Sequence, residues 1–367
     1  PIRERSCSPE VIFASLMLAL PLLVGSAAYA KRHREEQAGL TQIRPTTVSY
    51  PSASGLCMIR VMAHPRIGLA LGSGSARGLS HIGVIDALTE AGIEPDVVCG
   101  TSIGALVGAA YVAGRLAELR QWAETATWRQ VVRLMDVRLS GGGLIDGKQV
   151  VALLRRLGIE APIESYAKRY AAVATDLASG REVWLQTGPI DEAVRASIAL
   201  PGIVSPVEIG GKWLVDGGLT NPVPISVCRA LGAEVIIAVN LNGDLVGRRF
   251  DKARTVPPVA APSRVSTELF RRMLGQLPGV RPEQAAEAAA DQPQVSSAPG
   301  YLDVLANSLN IMQDHITRTR LAGEPPDVLL VPRLGNIGLM EFTKAREAIA
   351  EGRHCVQHAL PMLRRYV

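Results

Sequence analysis

The stretch Ile67-Gly68-Leu69-Ala70-Leu71-Gly72-Ser73-Gly74-Ser75-Ala76-Arg77-Gly78 decides the fold together with Asp96-Val97-Val98-Cys99-Gly100-Thr101-Ser102-Ile103-Gly104. Each begins as a short apolar run of the kind that forms a buried strand, and each closes in a glycine-framed turn. Helical spacing follows both turns. Leu79 to Ala91 reads as a helix stopped by Gly92, and Ser102 to Ala113 as a helix ending at Gly114. Strand, helix, strand, helix predicts right-handed crossovers and a parallel sheet covered on both faces.

The pattern continues outward. Ala117 to Arg133 and Lys148 to Leu157 have helical spacing, with Gly141-Gly142-Gly143 as a joint between them. Ala171 to Ala174 and Glu182 to Gln186 read as neighbouring strands turning at Ser179-Gly180, and Ile190 to Ala199 as a helix ended by Pro201-Gly202. Gly210-Gly211 between Val207-Glu208-Ile209 and Trp213-Leu214-Val215 signals a hairpin. Val235 to Val239 is a β-branched strand. A helix from Leu302 to Leu321, a strand at Val328 to Val331 and a helix from Thr343 to Leu363 close the chain.

Three of the turns carry chemistry. Gly100-Thr101-Ser102-Ile103-Gly104 has the G-x-S-x-G form of a nucleophile elbow, in which a strand bends sharply into a helix and exposes a serine. The helix dipole at that point favours negative charge, and Gly100 and Gly104 let strand and helix pass closely. Gly72 to Gly78 is a backbone-amide loop of the kind that holds an oxyanion. Asp216 follows a short apolar strand and precedes Gly217-Gly218, so its carboxylate can approach another segment. An isolated Asp-Gly-Gly is a common turn. In order behind the other two motifs, it reads as part of the same site rather than as a turn alone.

Other readings compete. A dinucleotide-binding turn would need glycine at position 77, where Arg77 stands, and an acidic residue at the end of the second strand, which instead ends in Cys99-Gly100. Histidine is the usual partner of a catalytic serine, which keeps an α/β-hydrolase triad using His315, His354 or His358 open. None of the histidines sits in a motif. His81 reads as a packing or capping residue. His354 and His358, one turn apart beside Cys355, read as an exposed helix face rather than a metal pair.

A chain of 367 residues, 47% hydrophobic, can build one large α/β core with appendages or two domains. The net charge of +5 favours anionic surfaces such as phospholipid headgroups, and is too weak and scattered for nucleic acid. No RNA-binding or zinc-finger pattern occurs. The five cysteines are odd in number and far apart, so a disulfide framework is not expected, and Cys99 reads as a buried small hydrophobe.

Two segments read as lying outside the enzyme. Residues 1–57 begin with Arg3 and Arg5 ahead of the apolar stretch Val11 to Gly25 and Ser26-Ala27-Ala28-Tyr29-Ala30, the layout of a secretory signal. Export or anchoring is expected if residues 1–30 act as one. A cytoplasmic protein, or one peripheral on the inner membrane, is expected if translation starts near Met58. Residues 245–300 are rich in Pro, Ala and Arg and read as a disordered insert. Within it, Leu269, Phe270, Met273, Leu274 and Leu277 fall on one helical face beside Arg271 and Arg272. That spacing suits a membrane contact or a cover for the active-site mouth, or a plain linker helix.

The three turns together resemble the patatin-like phospholipase family. Leu69-Ala70-Leu71-Gly72 through Arg77-Gly78, His81-Ile82-Gly83-Val84, Gly100 to Gly104 and Asp216-Gly217-Gly218 match its motifs in order. Val239-Asn240-Leu241-Asn242 and Asp327 to Gly338 look like the short bacterial members related to neuropathy target esterase. The resemblance implies a three-layer α/β/α fold with a mostly parallel central sheet. It implies a catalytic domain over 66–240 and a C-terminal extension over 301–367 packed on it. It also implies a carboxylic ester hydrolase (EC 3.1.1.-), a lysophospholipase or phospholipase A type, working through a Ser–Asp dyad without metal or organic cofactor and meeting membranes peripherally. A lipid-binding regulatory protein on the same scaffold is the non-enzymatic alternative. By match to the motifs, Ser102 is the nucleophile and Asp216 the base. Gly74, Ser75, Arg77, Gly78 and Ile103 form the oxyanion and substrate-binding set, and Gly72, Gly100, Gly104, Gly217 and Gly218 are the structural glycines. The family's loop is usually G-G-G-x-R-G, and two of those glycines are Ser73 and Ser75 here. That departure bears on substrate range.

Overall fold

Strand β1 (Ile67–Leu71) is buried at every residue, and so is β7 (Val235–Val239). Runs of that kind survive only inside a sheet covered on both faces. A computed structural model of the chain describes residues 64–127, 129–131, 146–244 and 301–366. The signal-like segment, the Gly141-Gly142-Gly143 joint and the 245–300 insert with its Leu269 to Leu277 face lie outside the described residues.

The sheet has eight strands in the order β5-β6-β3-β2-β1-β7-β8, where β2 is Val97–Thr101, β3 Arg169–Asp176, β5 Val207–Ile209, β6 Lys212–Asp216 and β8 Val328–Leu330. The last strand, β4 (Glu182–Leu185), also pairs with β3. Strands β3, β2, β1, β7 and β8 run parallel, and β4, β5 and β6 add antiparallel pairings at one edge. The fold is therefore the three-layer α/β/α arrangement with a mostly parallel sheet.

Strand periodicity divides the core. Leu69, Leu71, Val98, Tyr170, Ala172, Ile237 and Val239 face one layer, built from α1 (Ser80–Glu90), α2 (Ile103–Val112) and α8 (Ala345–Leu363). Ala70, Cys99, Ala171, Val173, Ile236 and Ala238 face the other, with α6 (Ile225–Ala230). The remaining helices are α3 (Leu116–Thr125), α4 (Lys148–Arg156), α5 (Ile190–Ser197) and α7 (Tyr301–Gly323). No described helix is long and apolar enough to cross a membrane.

Some elements differ from the sequence reading. The helix expected over Ala117 to Arg133 stops at Thr125, because Ala126 is extended (φ −60°, ψ 117°). Thr127 and Gln130 then cap a fresh turn, with Thr127 N donating to Gln130 Oε1 at 2.8 Å and Gln130 N to Thr127 Oγ1 at 3.4 Å. The turn before α1 is a 3-10 turn over Ser75–Leu79. Helix α6 was not read from the sequence: at six residues it is too short to show a period.

Helices α1 and α8 cross at bare backbone. A Cβ on Gly83 would lie 1.9 Å from the Ile349 carbonyl oxygen, and one on Gly352 would lie 2.0 Å from that of Ser80. Alanine at either site would gain up to about 1 kcal/mol of helix propensity. The overpacking it causes costs about 1–3 kcal/mol or more, because the obstacle is backbone and cannot swing away. Gly83→Ala and Gly352→Ala should each lower the urea midpoint, with a net loss of about 1–2 kcal/mol, against the helix-propensity trend.

Candidate active site

Two registers bring the elbow and the Asp-Gly-Gly turn together. Thr101 pairs with Val173 on β3, and Ala174, the next residue of β3, pairs with Asp216 at the end of β6. Ser102, one step beyond β2, therefore arrives level with Asp216. Ser102 Oγ donates to Asp216 Oδ2 at 2.6 Å.

Ser102 sits at φ 57°, ψ −123°. Among the described residues only Ser102 and Ser75 are non-glycine residues with positive φ. Such a conformation costs on the order of 1–3 kcal/mol and persists only where the surroundings over-determine it. Here they do. A Cβ on Gly104 would lie 2.2 Å from the Leu71 carbonyl oxygen, and one on Gly100 would lie 2.4 Å from Ala105 N. No larger residue would let α2 turn so tightly off β2. The Ser102 amide donates to Ser197 Oγ at 2.9 Å, and Ser197 Oγ donates to Val173 O at 2.5 Å. Ser197, at the end of α5, thus ties the bend to β3.

Asp216 is 1% exposed. Its Oδ1 accepts from Gly218 N at 2.7 Å, which closes the turn, and its Oδ2 takes the Ser102 hydroxyl. Gly217 is required because a Cβ there would lie 2.2 Å from Val173 O. Burial lifts the carboxyl from its ordinary 3.8 to about 6, opposed by the bonds from Ser102 and Gly218.

The loop after β1 is pinned at three amides. Gly72 N donates to Val239 O, Ser73 N to Pro222 O and Ala76 N to Leu339 O. The amides of Gly74, Ser75 and Ile103 donate to no atom of a described residue, and all three residues line the same cavity as Ser102 and Asp216. Ser75 holds φ 52°, a conformation glycine takes without strain. Arg77 and Gly78, grouped with the binding residues from sequence, stand behind the loop and do not line the cavity. Arg77 is buried, with Nε donating to Gly74 O at 3.2 Å and Nη2 to Asn310 Oδ1 at 2.9 Å. Gly78 is where Ile103 presses closest, 2.0 Å from a would-be Cβ.

The cavity encloses about 170 Å³ and its wall is almost wholly apolar, with Leu106, Trp122, Leu153, Ile203, Leu309 and Phe342 from α2, α3, α4, α7 and the loops. Asn310 and Gln313 supply polar atoms from α7. Sequence reasoning missed Ser197, Asn310 and Gln313, since none stands in a motif.

The described histidines lie elsewhere. His81 is fully buried, bonds through Nε2 to Gly72 O at 2.8 Å and is pushed down to about 4 by burial, so it stays neutral with Nε2 as the donor. His315, His354 and His358 are exposed, and His358 Nδ1 is engaged with His354 O. No described cluster of His, Cys, Asp and Glu has the makings of a metal site. Cys99 is a buried thiol in β2.

The family model for the patatin-like phospholipases matches residues 69–229. An uncharacterized NTE family protein of Mycobacterium tuberculosis is 36% identical over 337 residues, spanning 82% of this chain and 93% of the relative. A second from the same organism is 29% identical over 307 residues, covering 83% of this chain and 48% of the relative. The mouse patatin-like phospholipase domain-containing protein 6 is 34% identical over 192 residues, half of this chain and 14% of that one. The chain belongs to the patatin-like phospholipase family, in its NTE-like branch, a family of lipid ester hydrolases.

A buried carboxyl raised by folding binds its proton more tightly in the folded protein than in the unfolded chain. Its contribution to stability is fully present below pH 3.8 and is lost as pH rises through about 6. Asp216→Asn removes the ionisation. It should stabilise the fold at about pH 8 by roughly 1–3 kcal/mol, with the gain vanishing below about pH 4, in urea titrations across pH.

Proposed function

We propose that this protein hydrolyses acyl esters of lysophospholipids or phospholipids through a Ser102–Asp216 dyad. The reading rests on one observation, the 2.6 Å hydrogen bond from Ser102 Oγ to a carboxylate buried beside an apolar cavity. Residues 66–240 carry the chemistry in this reading, and 301–367 complete the cavity wall through α7.

The steps follow from the geometry. Ser102 Oγ attacks the ester carbonyl carbon while its proton passes to Asp216 Oδ2. The carbonyl oxygen becomes an oxyanion, held by the amides of Gly74 and Ser75 with that of Ile103 at the start of α2, where the helix dipole adds its field. Each such donor supplies roughly 3–4 kcal/mol. The tetrahedral intermediate collapses, the alcohol leaves with the proton from Asp216, and the acyl group stays on Ser102. Water then attacks the acyl-serine and gives its proton to Asp216, which returns it to Ser102 Oγ as the fatty acid departs. Arg77 and Gly78 shape the oxyanion loop without touching the substrate. No metal or organic cofactor enters these steps.

The dyad is favoured over a triad because both Asp216 oxygens are engaged, one by Ser102 and one by Gly218, and His315, His354 and His358 are all exposed. A carboxyl lifted to about 6 is a stronger base than an ordinary aspartate and is still largely ionised at neutral pH.

A fluorophosphonate should label the protein once, at Ser102. Ser102→Ala should take no label and lose at least about a thousandfold in turnover. A label on Ser73 or Ser75 would overturn the assignment. The acid limb of kcat/KM should fall with an apparent pKa near 6. His315→Ala, His354→Ala and His358→Ala should each keep that limb and most of the turnover, and a collapse in any one would move the mechanism to a triad.

A further inference from the structure

Two carboxamides on α7 enter the cavity with their orientation fixed. Asn310 and Gln313 are three residues apart, so they share one face of the helix. Asn310 Oδ1 accepts from Arg77 Nη2 at 2.9 Å. Gln313 Oε1 accepts from Ser73 Oγ at 2.9 Å and from Asn242 Nδ2 at 3.3 Å. In both, the oxygen is the atom the fold uses, which assigns the amide flip and leaves the NH2 group as the other end. No described residue accepts from Asn310 Nδ2 or Gln313 Nε2. Gln313 is 6% exposed and still lines the cavity, where its Nε2 stands 2.4 Å from where a Cβ on Gly218 would be, in the turn that follows Asp216. Neither nitrogen is among the sealed, unpartnered polar atoms, so each is left open for a partner from outside the described residues.

We propose that Asn310 and Gln313 form a donor pair that binds oxygen acceptors on the alcohol side of the substrate, the glycerol and phosphate portion that leaves with the ester oxygen. The proposal rests on the hydrolase reading above. The cavity wall sorts the substrate by polarity. The acyl chain matches the apolar side, and the glycerophosphate part of a lysophospholipid carries only oxygens to meet the two NH2 groups. Neutral donors leave the pKa of Asp216 to burial and its own two hydrogen bonds.

Asn310→Asp and Gln313→Glu make the test. Each keeps an oxygen for the partners that hold it, so Arg77, Ser73 and Asn242 remain bonded, while the donor becomes a repelling acceptor. Three substrates with one palmitoyl chain separate the sources: palmitoyl-lysophosphatidylcholine, monopalmitoylglycerol and palmitic acid methyl ester. The variants should lose kcat/KM on the lysophospholipid about tenfold or more beyond any loss on the methyl ester, mainly through KM. A loss shared by the monoacylglycerol places the contact on glycerol oxygens, and a loss confined to the lysophospholipid places it on phosphate. Equal losses on all three substrates, or none, would overturn the donor pair. An uncleavable ether analogue, 1-O-hexadecyl-glycerophosphocholine, reads the same contacts by calorimetry without turnover. Weaker binding by the variants of a wild type inactive on every ester would sink the hydrolase reading and leave the donor pair standing. Unchanged binding would sink the pair alone.

Discussion

The site depends on holding Ser102 in a backbone conformation that serine avoids. At φ 57° the residue leans away from both its strand and its helix, and that tilt lifts Oγ toward Asp216. The elbow residues alone would not maintain it. The bend survives because Gly100 and Gly104 let two backbones touch and because Ser197 bonds the Ser102 amide and the β3 carbonyl at once. The strain is of the same order as one or two hydrogen bonds. Loss of any one restraint would therefore shift the hydroxyl before it unfolded the protein.

The second constraint is the dry setting of Asp216. A carboxylate out of water is disfavoured, and the fold tolerates this one for two bonds and a lifted pKa. Stability and basicity are in opposition at the same atom. More hydrogen bonds to Asp216 would settle the charge and lower the driving force for taking a proton. Fewer would leave it protonated at neutral pH. The neighbouring loop shows a related compromise: Ser75 occupies a conformation natural to glycine, so this loop is stiffer than a G-G-G-x-R-G loop.

How much of this was legible in the sequence follows from range. The parallel core strands and the three turns were readable because each is a local pattern: an apolar run, a glycine frame, a stop. Their order even implied the sheet. The antiparallel edge was only partly readable, since the β5-β6 hairpin announces itself in Gly210-Gly211 but its pairing to β3 does not. Ser197, Asn310 and Gln313 were invisible. Their partners lie 95, 233 and 240 residues away, and no period or motif encodes such a meeting. The break in the helix after Thr125 was missed for a smaller reason: Thr127 and Gln130 look helical by spacing and act as a cap.

The glycine crossing of α1 and α8 also sets a schedule for folding. Glu90 and Arg353, joined at that crossing by two bonds of 2.7 Å, are 263 residues apart. At ribosomal rates of about 5–20 residues per second, the apolar face of α1, with Ile82 and Ile85, waits roughly 13–50 seconds for its cover. During that time part of the apolar surface of α1 lies open. A chain built this way keeps apolar surface open through most of its synthesis, which exposes it to aggregation more than a locally wired one would be.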